Sequence, residues 1–157
     1  MENSLFVYGL LAMLAIALLH AAYTDIVRRE IEDWLNAGIA IAAPLFWWAC
    51  GLSLWPDIAV QLALGIGVFL FFAAMFALGA MGGGDVKLLG ALALWFPWQV
   101  MAKVAIAMSL IGAVLTIIIV AEHKMRRKLG QPEVPYGVAI AIAALWPVGE
   151  RFFNHFA

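Results

Sequence analysis

Two aspartates carry the chemistry open to this sequence. Asp85 closes the run Met81-Gly82-Gly83-Gly84-Asp85-Val86-Lys87 between two strongly apolar segments, and Asp25 lies in Tyr23-Thr24-Asp25-Ile26-Val27-Arg28-Arg29-Glu30. Two neighbouring carboxylates do not easily ionise together, so one keeps a proton while the other acts as base. Such a pair can activate water against an amide carbonyl and protonate the leaving nitrogen. Carboxylates at mid-bilayer cost roughly 2.5–3.5 kcal/mol each, and less near the boundary. A second reading stands beside this one: glycines close helices and Asp is a favoured N-cap, so Gly-Gly-Gly-Asp is also plain punctuation. Spacing alone does not bring Asp25 to Asp85.

The elements that must position the pair are membrane spans. The 157 residues are 66% hydrophobic and 12% charged, against about 45–50% and about 25% in soluble domains. This composition describes an all-α polytopic membrane protein, with one domain over residues 1–157. A span needs about 20 predominantly apolar residues. Candidates run Leu5–Ala22, Leu35–Leu54, Ile58–Ala80, Val86–Phe96, Val100–Ala121 and Val134–Phe152. The fourth is short: eleven residues rise only about 16 Å as a helix, so it is either tilted with its flanks drawn in or dips in from one side. Pro44 and Pro147 are expected to kink the second and sixth spans. The first apolar run is longer than a signal-peptide core and has no basic residue before it, so it reads as a retained span.

Parity and charge then set the sidedness. With six spans, the first, third and fifth loops share a side, and they hold Arg28, Arg29, Lys87, Lys124, Arg126, Arg127 and Lys128, seven of the nine Lys and Arg residues. Those loops are expected in the cytoplasm, with both termini outward. Two spans separate Asp25 from Asp85, which returns both carboxylates to the cytoplasmic side. Trp47, Trp48, Trp55, Trp95, Trp98 and Trp146 fall towards outer ends and Tyr23, Trp34 and Tyr136 towards inner ends, as in interfacial belts; some are alternatively packing residues.

Among the remaining polar residues, Lys87 either stabilises a carboxylate and binds the substrate backbone, or marks topology by snorkelling to headgroups. Glu30, Glu32 and Asp33 read first as a solvated acidic loop, and otherwise as a surface for a basic peptide. His20 reads as packed or interfacial, and the lone Cys50 as a small buried hydrophobe. No His, Cys or carboxylate cluster has metal-ligand spacing, and the short basic run of the fifth loop gives no support for nucleic-acid binding. Membrane lipid is the expected neighbour of the basic loops. Nothing in the chain sets an oligomeric state.

At these residues the chain resembles a known family. Gly82-Gly83-Gly84-Asp85-Val86-Lys87-Leu88-Leu89 is similar to the GxGD-x-K-L-L signature of the type IV prepilin peptidases. Asp25 followed by Ile31-Glu32-Asp33 resembles that family's first aspartate and its I/L-P-N/D sequence, and Val134-Pro135-Tyr136-Gly137 resembles its late P-[YF]-G segment. The resemblance implies an intramembrane aspartyl endopeptidase that removes the leader of prepilins at the cytoplasmic face of the bacterial inner membrane, without cofactor or metal. It makes Asp25 and Asp85 the catalytic pair, with Gly82, Gly84, Lys87, Tyr136 and Gly137 at the substrate. Glu32 stands where the family usually has proline, which implies a looser or more helical turn after Asp25. With one cysteine and no paired CxxC motifs, the chain resembles the small peptidase-only branch of Flp-type tight-adherence pili, which cleaves without N-methylating. Two rivals are a proton- or cation-coupled transporter, disfavoured because both aspartates lie at one face, and a non-catalytic assembly subunit in which the aspartates are caps.

Overall fold

The structure, a computed structural model, describes residues 4–126 and 134–156. Among them are six α-helices and no strand: α1 Ser4–Arg28, α2 Asp33–Ala49, α3 Ala59–Ala77, α4 Gly83–Ala93, α5 Trp98–Met125 and α6 Tyr136–Phe156, with a kinked turn at Leu54–Ile58 leading into α3. They match the six expected spans in order. Among the described residues three segments are long and apolar enough to cross a bilayer by themselves, Leu5–Arg28, Leu54–Ala77 and Trp98–Met125. α2 and α6 run through Pro44 and Pro147 without interruption. Arg127 and Lys128 of the basic loop lie outside the described residues.

Helix ends follow local chemistry. α3 ends in a Schellman motif: Gly79 takes φ +74°, its N–H donates to Phe76 O, and the Ala80 N–H donates to Met75 O. The expectation that the glycine triplet stops this helix is therefore corrected. Gly79 has already stopped it, and Gly82 is the N-cap of α4, with Gly83 and Gly84 inside its first turn. The turn after α1 is also unlike its expectation. Glu32 holds φ −66° and ψ 136° in extended geometry, the φ a proline ring would impose, so its backbone needs no proline to enter α2. Its carboxylate meanwhile accepts from Arg28 Nη1 at 3.1 Å and lies 3.3 Å from His20 Nε2.

The short helix α4 is the centre of the bundle. Leu88, Leu89 and Leu92 are fully buried, and α2, α3, α5 and α6 all pack on it. Its eleven residues end inside protein, where unpaired carbonyls would be costly. Side chains of the neighbours meet that need. Gln61 Nε2 donates to Ala93 O at 2.6 Å and to Phe96 O at 2.7 Å, and Trp47 Nε1 donates to Leu94 O at 2.7 Å. Trp95 returns the favour to α2, donating to Ile39 O at 2.8 Å. Trp47 and Trp95 are thus buried tethers of α4 rather than belt residues, whereas Trp48, Trp55, Trp98 and Trp146 are exposed.

Close packing of α3 on α4 rests on absent side chains. A Cβ on Gly90 would come within 3.1 Å of Phe69, and one on Gly65 would strike Leu94. This small-residue approach is how membrane helices gain contact when lipid is as apolar as their side chains. Replacing Gln61 by Leu leaves two buried carbonyls without donors, an expected loss of about 1–3 kcal/mol. Denaturant titration in micelles measures it, and an unchanged midpoint would show that α4 does not depend on this cap.

Candidate functional site

Asp25 stands in the last turn of α1, and its carboxylate meets the start of α6. The first N–H groups of any helix lack intrahelical partners; here the Val138 N–H donates to Asp25 Oδ2 at 3.1 Å, and the Gly137 N–H bonds the same carboxylate. Asp25 therefore caps α6 from another helix. Gly137 makes this possible, because a Cβ there would lie 2.8 Å from Asp25 Oδ2 and 2.7 Å from Ile31 Cδ1. Just after Asp25 the chain leaves the helix through Arg29, held at φ +56° with its N–H on Asp25 O at 3.0 Å. A non-glycine residue in this left-handed region is uncommon, and here it places Arg29 on the wall of the cavity described below.

Asp85 is the third residue of α4 and reaches back to the N–H of its own N-cap, Gly82, half of a capping box. Around it the glycines are unequal. A Cβ on Gly84 would press on Ile31, 3.1 Å from its Cβ and 3.3 Å from its carbonyl oxygen, so Gly84 lets the loop after Asp25 lie against α4. A Cβ on Gly82 would sit 3.1 Å from Asp85 Oδ2, whereas one on Gly83 would make ordinary contact with Phe76.

The two carboxylates line one cavity of about 610 Å³, with Arg28, Arg29, Gly79, Met81, Gly82, Val134 and Tyr136 around them. It lies at the end of the bundle where α1 finishes and α4 and α6 begin. Asp25 and Asp85 are 6% and 8% exposed, and the charge of Asp25 acts on Asp85. Two caps with no other duty gain nothing from facing each other at such burial, since like charges repel more strongly as water is excluded. A proton shared between them relieves the repulsion and leaves one acid and one base in the same space. Among the described residues no three His, Cys, Asp or Glu side chains gather as a metal site would require.

Of the other residues singled out in the sequence, Gly82, Tyr136 and Gly137 adjoin this cavity, and Gly84 supports it from behind. Lys87 does not enter it. Its Nζ lies 2.6 Å from Asp33 Oδ1, over a neighbouring groove. Asp33 and Glu32 are accordingly paired rather than freely solvated, while Glu30 is exposed. Sequence reasoning missed three contributors. Asn36 donates from Nδ2 to Gly84 O at 3.3 Å. Gly112 of α5 accommodates the Tyr136 ring, whose Cε1 would be 2.8 Å from a Cβ at that position. Arg29 joins the wall. Asn36 carried a signal, a polar residue inside an apolar span; Gly112 carried none. Gly137→Ala is expected to push α6 off Asp25 and lower stability by about 1–3 kcal/mol, while Gly83→Ala leaves it unchanged. Thermal unfolding of the two variants checks the contrast, and equal midpoints would contradict the geometry.

Comparisons with known proteins converge on one family. The model of the type IV leader peptidase family matches residues 12–117, a stretch that includes both aspartates. The prepilin leader peptidase/N-methyltransferase of Stutzerimonas stutzeri is 32% identical over 139 residues, covering 88% of this chain and 46% of its own length. The protein of that description from Pseudomonas aeruginosa is 31% identical over 146 residues with the same coverage, and one from Burkholderia pseudomallei is 27% identical over 117 residues. The chain thus spans about half the length of these relatives. No solved structure matches it significantly. From the match over two thirds of its residues, with the glycine-aspartate turn and the earlier aspartate inside it, the chain belongs to the type IV leader peptidase family.

Proposed function

We propose that residues 1–157 form one integral membrane peptidase domain, an aspartic endopeptidase that cleaves the leader of a prepilin, with Asp25 and Asp85 as its catalytic pair. The observation that carries the reading is the placement of two buried carboxylates on one cavity at one end of a helical bundle. Family membership narrows the amide to be cut, since the relatives are described as prepilin leader peptidases.

The mechanism follows from the geometry. The scissile segment enters the cavity extended, because a helical peptide bond is shielded by its own hydrogen bonds. A water between the carboxylates loses a proton to the ionised one and attacks the carbonyl carbon. The protonated partner hydrogen-bonds the carbonyl oxygen as it gains charge, and the proton taken from water passes to the leaving nitrogen as the C–N bond breaks. Asp25 and Asp85 exchange acid and base roles in this cycle. Backbone donors hold both in place, Val138 for Asp25 and Gly82 for Asp85, so little reorganisation accompanies the proton transfer. Tyr136, with its ring set against Gly112, flanks the extended segment.

Charge distribution supports an inner-membrane orientation with the cavity towards the cytoplasm. Arg28, Arg29, Lys87, Lys124 and Arg126 all lie at helix ends or turns on the aspartate side. A prepilin leader on that side meets the exposed acidic residue Glu30 in the turn after Asp25. The proposal includes the Flp-type branch, which cleaves without methylating the new terminus.

Incubation with a prepilin in vesicles tests the assignment. Asp25→Asn and Asp85→Asn are each expected to lower cleavage by at least about 10³-fold, the scale of losing a general acid or base, with unfolding midpoints retained. Full processing by either variant removes that residue from the pair. Intact mass of the processed pilin tests the branch assignment: the mass of the unmodified terminus is expected, and a methyl added by the purified chain alone would reject it.

A further inference from the structure

Beside the aspartate cavity lies a second feature that the chemistry above does not use. α2 and α3 both pack on α4 and leave between them a groove of about 570 Å³, floored by Gly90 and Leu94 and walled by Ala40, Leu62, Ile66 and Phe69. It is almost wholly apolar and faces outward from the bundle; Ile66 and Leu70 are exposed. One end is closed by the Lys87–Asp33 ion pair, two residues from Asp85. At the same end Asn36 lines the groove. This side chain is 4% exposed, and its Oδ1 has no hydrogen-bond partner among the described residues.

A buried amide oxygen without a donor costs about 1–3 kcal/mol, and native structures rarely leave one without a reason. The other half of the same amide holds Gly84 O, which fixes the Asn36 orientation and prevents the amide from turning to satisfy itself. An acyl chain fits an apolar groove but brings no donor. A peptide does: where an extended segment becomes a membrane helix, the first four N–H groups are unpaired. The small residues Gly90 and Ala40 let such a helix approach closely.

We infer that this groove receives the apolar membrane helix of the substrate, with Asn36 Oδ1 accepting an N–H from its first turn. The inference rests on the proposed peptidase function and says where the uncut chain lies. The helix runs along α4 in contact with α2 and α3, and its polar end meets the Lys87–Asp33 pair. From there the chain passes as an extended strand round the Gly84–Asp85 turn into the aspartate cavity. Because one Asn36 amide touches both the groove and Gly84, an occupied groove and a correctly held Asp85 turn support each other.

Site-specific photocrosslinking tests this. A photoreactive side chain is placed at Ile66, in the groove, or at Phe71, on the opposite face of α3 and equally exposed. Each is set in the Asp85→Asn background, so that the substrate stays uncut. The probe is a prepilin comprising its leader and first apolar helix, in vesicles of phosphatidylethanolamine and phosphatidylglycerol. Crosslinks to the probe from Ile66 and not from Phe71 are expected. Equal labelling from both positions, or lipid adducts alone at Ile66, overturns the proposal. In the otherwise native chain, Asn36→Leu removes both the Gly84 bond and the proposed substrate bond. Loss of the latter is expected to raise KM about tenfold, whatever loss of the former does to kcat; an unchanged KM counts against Asn36. If the native chain leaves the prepilin uncut, the peptidase function fails, while labelling at Ile66 still decides the groove.

Discussion

A carboxylate buried in a membrane bundle must find donors, and in this protein the donors are the free N–H groups at helix starts. Asp25 takes those of α6, and Asp85 takes that of Gly82 at the head of α4. This one constraint explains most of the architecture around the site. α4 and α6 must begin at the same level as α1 ends. The residues between carboxylate and donor must be small, so Gly137 and Gly82 stand where any Cβ would intrude. Capping and chemistry are then not alternatives. The bonds that make each aspartate a cap also hold it at the wall of the shared cavity.

A helix that starts at the site and is only eleven residues long cannot reach the far surface by itself. α4 therefore ends among Gln61, Trp47 and the buried turn that holds Trp95 and Phe96, where the carbonyls of Ala93, Leu94 and Phe96 are met by side chains from other helices. Its position in the middle of the bundle makes the arrangement stiff. Displacing Asp85 would require moving a helix that four others hold. The same centrality leaves the cleft between α2 and α3 open along its length, which is why a groove runs from the bundle flank to the Asp85 turn.

The departure at Glu32 shows how backbone and side chain separate their duties. Its φ of −66° reproduces what a proline would impose. Its carboxylate adds what proline lacks, a link from Arg28 and His20 to the head of α2. The strained conformation of Arg29 beside it belongs to the same turn, which carries the chain from Asp25 to Ile31 and the Gly84 contact in six residues.

The family resemblance marked Gly84 and Gly137; from the residues themselves came the all-helical class, the six segments and the shared membrane side of Asp25 and Asp85. These last follow from hydropathy, parity and backbone rules that act within a few neighbours. Composition also marked Trp47 and Trp95 as membrane tryptophans, but whether an indole N–H meets lipid headgroups or a carbonyl of α4 depends on which helix lies beside it. Lys87 was legible as a charge two residues from Asp85, yet its partner is Asp33, 54 positions earlier. Asn36 and Gln61 stood out as polar residues inside apolar spans, but their partners lie across helix contacts, and Gly112 carried no local signal at all. Which carboxylates meet, which carbonyls are capped and where a groove stays open are properties of packing, decided when the helices close on one another.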